Sequence, residues 1–497
     1  MINNNMRMTG FASGMDINQM VKDLMQAERL PLQKMEQDQL WLTQRRDAYR
    51  EVNTKLSEFE NKFFDMRLSK TYLSKIASSS SDAISVSASN QASDGNYSFQ
   101  VDQLASAATR YSGVEGTTFG KGYDADQALA AEYVGQEVSF AYHDQSQDSP
   151  KTVSFTIQEG DSLNDVLKNI SDESGGAVRA FYDQNSDRVF MERTETGDFN
   201  KNGLEFEQLS AFFTDTLNIA AEEQGGTDAE FKYNGIAMTS HSNNYQFNGM
   251  NLTFNSATDG PVNVSVSQDV DGAVDKITEF VEQYNELIDF MNEKVGEERY
   301  RDYPPLTEAQ RKEMSEREIE LWEERSKSGE LRNDGILRSA LSGMRSAWYE
   351  SVDNLNGDLS RMMDVGITTT SDWRQGGKLE VDEQKLREKL EEDPNAVYRL
   401  FSNSDEGDSR GILNRVEGVL ESTMDRIKDR AGSTAQTDFQ YTMGRELKSM
   451  AERMANFERR MQQTEQRYWD QFTAMEKAMQ RYNQQANYMM QQFGGMQ

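Results

Sequence analysis

A few groups of residues in this 497-residue chain have types and spacings that could do chemistry. Gly160-Asp161-Ser162-Leu163 spells a signature known from serine hydrolases. Such a serine needs a histidine base, ordinarily in a later Asp-x-x-His block. The only histidine after it is His241, and position 238 is Met. Ser162 also stands where a helix N-cap belongs, ahead of Leu163 and Val166, and capping is the expected role. Asp198-x-Asn200-x-Asn202-Gly203 matches the first half of a calcium loop, but the twelfth position, which should be a bidentate Glu, is Leu209. A polar turn is expected there. Around Asp269 and Asp271 the same template fails at Ser267 and Thr278. His143, beside a tyrosine on a strand, and His241, in a polar loop, have no evident third ligand for a metal. Gly225-Gly226 and Gly376-Gly377 lack the lysine and spacing of a phosphate-binding loop. The run Glu391–Asp393 reads as solvated helix surface. No catalytic, cofactor-binding or metal residue is assigned, no cofactor is called for, and the chain is not expected to be an enzyme.

The pattern that dominates the chain is instead a seven-residue apolar repeat at both ends. At the N-terminus it is Met35, Leu42, Tyr49, Leu56 and Phe63; at the C-terminus it is Leu447, Met454, Met461, Tyr468, Met475, Tyr482 and Met489. That period keeps one helix stripe facing a partner helix, so the two ends are expected to pack side by side, and these twelve residues are the candidate assembly interface. A second stripe, Val52, Phe59 and Met66, lies between the first-stripe residues. Residues 1–76 and 441–497 hold 17 of the 26 methionines, whose flexible side chains suit seams that change geometry.

Bulk properties agree. Hydrophobic content is 36% and mean hydropathy −0.81, lean for one globular core and natural for long helices with one buried stripe. Formal charge is −31, with +2 on residues 1–76 and +2 on 441–497, which leaves −35 on 77–440. Near-neutral ends can pack closely while the acidic middle repels its copies. With no basic patch to neutralise phosphate, nucleic acid is not an expected partner. No run of about 18 apolar residues is present, so no membrane insertion is expected. The start, MINNNMRMTG, lacks the profile of a cleaved secretory signal. Cysteine is absent, which excludes disulfides and thiolate chemistry.

The elements follow in the order helix, β, helix. Residues 1–14 are small and polar and are expected to be flexible. A helix starts at Asp16, with Gln19 at the return position of a capping box and Val21, Leu24 and Met25 on one face. Pro31 is expected to kink or break it, and a long helix continues to about Leu68. After the serine run 78–81, alternating segments predict strands at 84–88, 97–101, 138–142, 152–157, 188–191, 252–254 and 262–266. One short helix is predicted over 162–173. Helical spacing resumes at Val274 and is ended by Pro304-Pro305; helices are expected over 306–327, 331–350, 383–392, 394–402 and 411–430, with nothing to interrupt a helix up to Gly494. The fold class is α+β multidomain, with long paired terminal helices forming a coiled-coil stalk and mainly-β head domains inserted between them. The expected division is 1–44 as a terminal leg helix pairing with the C-terminal helix 441–497; 45–76 plus 271–440 as a helical stalk domain; 77–113 plus 227–270 as an inner β head; and 114–226 as an outer β head.

Four stretches carry a resemblance. GFASGMDINQMVKDLMQAERLP (10–31), DGAVDKITEFVEQYNELIDFMNEK (271–294), GITTTSDWRQGGKLEVDEQKLREKLEEDPNAVYRLF (366–401) and RYWDQFTAMEKAMQRYNQQANYMMQQF (467–493) resemble conserved segments of the flagellar filament cap proteins, or hook-associated protein 2 family. Residues 134–197 resemble a β-rich module found in flagellin and hook-related proteins. The resemblance implies a homo-oligomeric ring at the filament tip, outside the cell, reached through the flagellar export apparatus without a cleaved signal. It implies flagellin and hook–filament junction proteins as partners, an export chaperone near the C-terminus, adhesion in some relatives, and no catalysis. Other axial flagellar components share paired terminal helices and are the alternative, as is a stalked surface adhesin. A lone two-helix seam is marginal in water, so about 40 residues or more at each end are expected to be disordered in the free subunit and to order only on assembly.

Overall fold

Asp16 begins the first helix. In the computed structural model, which describes residues 16–144, 149–201, 203–353, 359–370 and 376–494, α1 runs Ile17–Arg67 and the Asp16 carboxylate accepts the Gln19 N–H at 3.0 Å. The other half of the expected capping box does not form: the Gln19 side-chain amide donates to Asp23 at 2.7 Å. Pro31 does not break the helix. It removes one backbone N–H, a loss of about 3 kcal/mol in a helix interior. Buried side chains on either side of it, Val21 and Met25 before and Leu42 and Tyr49 after, hold the two halves in one helix. Leu24 is exposed, not on the apolar face with Val21 and Met25; the i,i+4 pair shares a stripe and Leu24 lies off it. A short helix, α2 (Ser69–Leu73), follows. The small polar run 1–14 lies outside the described residues.

The chain divides into two compact units, residues 1–72 with 271–497, and residues 73–270. The second is β-rich and has two cores. One lies between a five-stranded antiparallel sheet, β1 (Lys75–Ser79), β14 (Val262–Gln268), β3 (Gly95–Gln103), β10 (Ala229–Tyr233) and β11 (Ile236–Ser240) in that order, and a three-stranded sheet, β12 (Asn244–Phe247), β13 (Met250–Phe254) and β2 (Ile84–Ala88). Phe99, Val101, Phe231, Leu252 and Val264 fill it. The other core is enclosed by β4 (Ala107–Tyr111), β8 (Arg188–Thr196) and β7 (Val178–Asp183), by β6 (Lys151–Thr156), β5 (Glu137–Tyr142) and β9 (Phe206–Glu207), and by α3 (Leu163–Glu173). Phe140, Leu163, Val166, Ile170, Val189 and Phe213 pack inside it. The seven predicted strands are present. The serine run expected to lead into the sheet is partly strand: β1 pairs with β14 in the register Lys75↔Gln268 to Ser79↔Val264, a tertiary pairing that overrides weak local propensity.

The first unit is helical. Its remaining elements are α4 (Val270–Gly296, whose first residue belongs to the β unit), α5 (Glu308–Arg311), α6 (Glu316–Lys327), α7 (Gly335–Tyr349), the hairpin β15 (Ile367–Thr369) and β16 (Leu379–Val381), α8 (Glu383–Glu392), α9 (Pro394–Ser402), α10 (Ile412–Ala431) and α11 (Thr442–Gly494). Three expected boundaries move. The helix predicted over 306–327 is two helices, because Ser315 and Glu318 form a fresh capping box. The helix predicted from 331 starts at Gly335, because Asp334 caps it, accepting Ile336 N–H at 2.9 Å. The segment expected to run to Pro304 ends its helix at Gly296. In the core Phe59 stacks on Phe280 at 5.2 Å, Phe63 meets Phe280 edge-on at 5.1 Å, and Tyr284 meets Trp348 at 5.3 Å.

Candidate functional site: the paired terminal helices

Helix α11 lies antiparallel against α1. Near its start, Tyr441 receives the Arg50 guanidinium at 5.4 Å, and Arg50 Nε donates to Ala431 O at 3.0 Å. Further along, Trp41 and Leu42 share a groove with Met450 and Arg453, and Met35 shares one with Asn456 and Gln463. At the far end Ile17, Val21 and Met25 form a small apolar cluster with Met461, Tyr468, Trp469 and Phe472, and Tyr468 donates its hydroxyl to Glu28 at 3.1 Å. Numbers rise along one helix as they fall along the other.

The twelve candidate interface residues therefore separate into groups. Met461 and Tyr468 sit in the seam against α1. Met35, Met454 and Met475 are half-buried, and Leu42 and Leu447 are buried. Tyr49, Leu56 and Phe63 are fully buried, but Tyr49 and Phe63 face the rest of the helical unit: the Tyr49 hydroxyl donates to Asp334, and Phe63 packs on Phe280. Tyr482 and Met489 are 71% and 57% exposed. Sequence reasoning missed Ile17, Trp469 and Phe472, which lie off the strict seven-residue series; the signal available was a second apolar position four residues after Tyr468.

Charge in the helical unit is arranged around α1. Asp334, nearly buried, caps α7 with one oxygen while the other accepts from Tyr49 and meets Arg45 at 3.4 Å. Burial, and then the neighbouring Asp334 carboxylate, push the Tyr49 phenol up to about 12. Lys294 on α4 pairs with Glu51 of α1 at 2.9 Å. Beside it the Glu330 carboxyl is pushed up to about 7 by burial, against the pull of Lys294, and its buried Oε1 has no hydrogen-bond partner among the described residues.

The groups considered for chemistry are engaged in local structure. Ser162 caps α3: its Oγ accepts the Asp165 N–H at 3.2 Å and donates to the Asp165 carboxylate at 2.6 Å, which holds that carboxyl below its usual range. Asp198 accepts the Asn200 N–H at 3.1 Å, and the Asn200 amide donates to Leu204 O at 2.8 Å and to Glu207 at 3.2 Å. Asn202 of that turn lies outside the described residues, and Leu209 packs on the second β core. His241 pairs with Asp228 at 2.7 Å and His143 meets Glu207 at 3.4 Å. Among the described residues no helix is long and apolar enough to cross a membrane.

Helices from both ends of the sequence pair along their length, and a β unit is inserted between them in the chain. The comparisons with known proteins make this specific. Models of the flagellar hook-associated protein 2 N-terminus and C-terminus match residues 13–108 and 226–484. The chain is 36% identical to flagellar hook-associated protein 2 of Halalkalibacterium halodurans, over 98% of this chain and 100% of that protein. It is 24% identical to the Thermotoga maritima protein of the same name, over 98% and 95%. The crystal structure of the flagellar cap protein FliD D1-D2-D3 domains from Escherichia coli has the same fold, with a TM-score of 0.53 and 18% identity over 81% of this chain and 99% of that one. The chain belongs to the flagellar hook-associated protein 2 family.

Proposed function

We propose that the chain caps the bacterial flagellar filament, as a homo-oligomeric ring that retains exported flagellin at the tip and promotes its polymerisation. The observation that carries the reading is the antiparallel pairing of Ile17–Met25 with Met461–Phe472, which makes one leg from both ends of the chain. Capping is the role of the family, and the chain matches a curated member along nearly its whole length. The half-buried methionines and the exposed Tyr482 and Met489 would dock on flagellin and on hook–filament junction proteins. The four-part division into leg, helical stalk, inner head and outer head belongs to this proposal, with the two β cores as the inner and outer heads. So do export through the flagellar apparatus without a cleaved signal, an export chaperone on α11, and the absence of catalysis.

The test uses a strain whose own cap gene is deleted. Supplying this chain with a matched flagellin should restore filament growth and stop flagellin loss into the medium, and electron micrographs should show a plate at filament ends. Continued flagellin loss with the chain exported and intact would overturn the reading.

A further inference from the structure

Beside the leg lies a groove of about 670 Å³ between α1 and the segment that precedes α5. Leu30 and Trp41 form its apolar wall, and Lys34, Arg299 and Arg301 give it charge. The Arg299 guanidinium sits over the Trp41 ring, 4.2 Å from its centre. None of the three cations has an ion-pair partner among the described residues; Asp38 is the acidic side chain in the lining. Burial, and then the nearby guanidiniums of Arg301 and Arg45, lower the Arg299 pKa, as expected where cations cluster. On the groove wall Ser326 is 5% exposed, and its buried hydroxyl has no hydrogen-bond partner among the described residues. On a chain of net charge −31, such a site calls for an acidic partner with an apolar anchor.

Helix α6 supplies that chemistry on its other side. Ile319, Trp322 and Ser326 face inward, with Trp322 Nε1 donating to Pro304 O at 2.7 Å. Outward lie Glu316, Glu320 and Glu324, a like-charged row at i,i+4 spacing that costs a few tenths of a kcal/mol per pair. Leu321, 54% exposed, stands among them, and Arg317 and Lys327 are the cations on that face, Lys327 paired with Glu323 at 3.2 Å. The row has no ion-pair partners among the described residues. The groove and the row lie on opposite sides of one helix, so they cannot satisfy each other within a copy. They can do so head to tail between copies, the arrangement that closes into a ring.

We infer that neighbouring copies join by seating the Glu316–Glu320–Glu324 face and Leu321 of one chain in the Lys34–Arg299–Arg301 groove of the next. This rests on the ring proposed above and names its contact. The test is sedimentation velocity of the full-length protein over a salt series, with Arg301→Glu, Glu320→Arg, Leu321→Asp and the Arg301→Glu/Glu320→Arg double variant. Each single charge reversal should weaken self-association about tenfold or more, through juxtaposed like charges. The double variant should return to within about threefold of the parent, which a folding defect would not allow. Leu321→Asp should weaken association without gaining from higher salt. If the parent assembles and the single reversals leave association within about twofold, or the double variant fails to recover, the inference is wrong while the ring reading stands. If the parent forms no oligomer, free or on filament ends, both fall.

Discussion

Glu330 gives the helical unit a stability that falls as pH rises. Its carboxyl has a reference value of 4.5 and is pushed up to about 7 by burial, with an unpartnered Oε1. The folded state therefore binds this proton more tightly than the unfolded chain. Below pH 4.5 the group is neutral in both states and costs nothing. As pH climbs through 7 the folded state must accept a buried charge. The difference of about 2.5 units corresponds to about 3 kcal/mol at pH 8.5, at 1.36 kcal/mol per unit. Glu330→Gln keeps the shape of the neutral acid and cannot ionise. It should match the parent at pH 4 and exceed it by up to about 3 kcal/mol at pH 8.5. The assay is urea denaturation followed by tryptophan fluorescence. All five tryptophans, at 41, 322, 348, 373 and 469, fall in the helical unit, so the β unit is silent in this signal. The groups that set the balance are Lys294 of α4 and Glu297 just after it, Asp47 and Glu51 of α1, and Lys327 of α6. Equal stability of the two proteins at pH 8.5, or a gain that is the same at pH 4, would refute the reasoning.

Three further outcomes are expected. Tyr49→Phe should cost the helical unit about 2 kcal/mol at pH 7 by removing a donor from buried Asp334; because the phenol sits near 12, its contribution is full below about pH 10 and fades as pH rises through 12, so the gap between variant and parent should close there by urea titration. A Glu28→Cys/Tyr468→Cys variant, in a chain with no cysteine background, should crosslink through a short bismaleimide in the assembled cap, whereas Glu28→Cys with Met489→Cys should not; failure of the first pair removes the leg. Ser162→Ala should lower the stability of the β unit by about 1 kcal/mol through loss of the α3 cap and leave capping unchanged, as read by calorimetry and flagellin retention.

Much of this architecture is legible in the residues because the physical cause is local. Asp16 and Ser162 announce helix starts through their side-chain acceptors, and each caps as its position requires. Alternation finds strands such as Val262–Gln268, where Val262, Val264 and Val266 face a core and Asn263 and Ser267 face water. What escaped is what depends on distant partners. The serine-rich Lys75–Ser79 is a strand only because Val262–Gln268 lies beside it. Pro31 sits inside a helix because packing on both sides outweighs a single missing donor. The apolar series at the ends locates the leg, but its period cannot say which neighbour each residue meets. Tyr49 and Phe63 keep the same spacing as Met35 and face a different set of helices.

The β unit enters and leaves through two strands hydrogen-bonded to each other, Lys75↔Gln268 onward, with the Asp269 N–H bonded to Ser74 O. A module whose first and last strands are zipped together keeps its entry and exit side by side when it is lengthened, trimmed or exchanged. If the paired helices dock on the filament as proposed, bacteria whose filament tips meet different surfaces could vary this module while those helices stay fixed. For the engineer the same entry is a place to graft foreign cargo onto a flagellum's end.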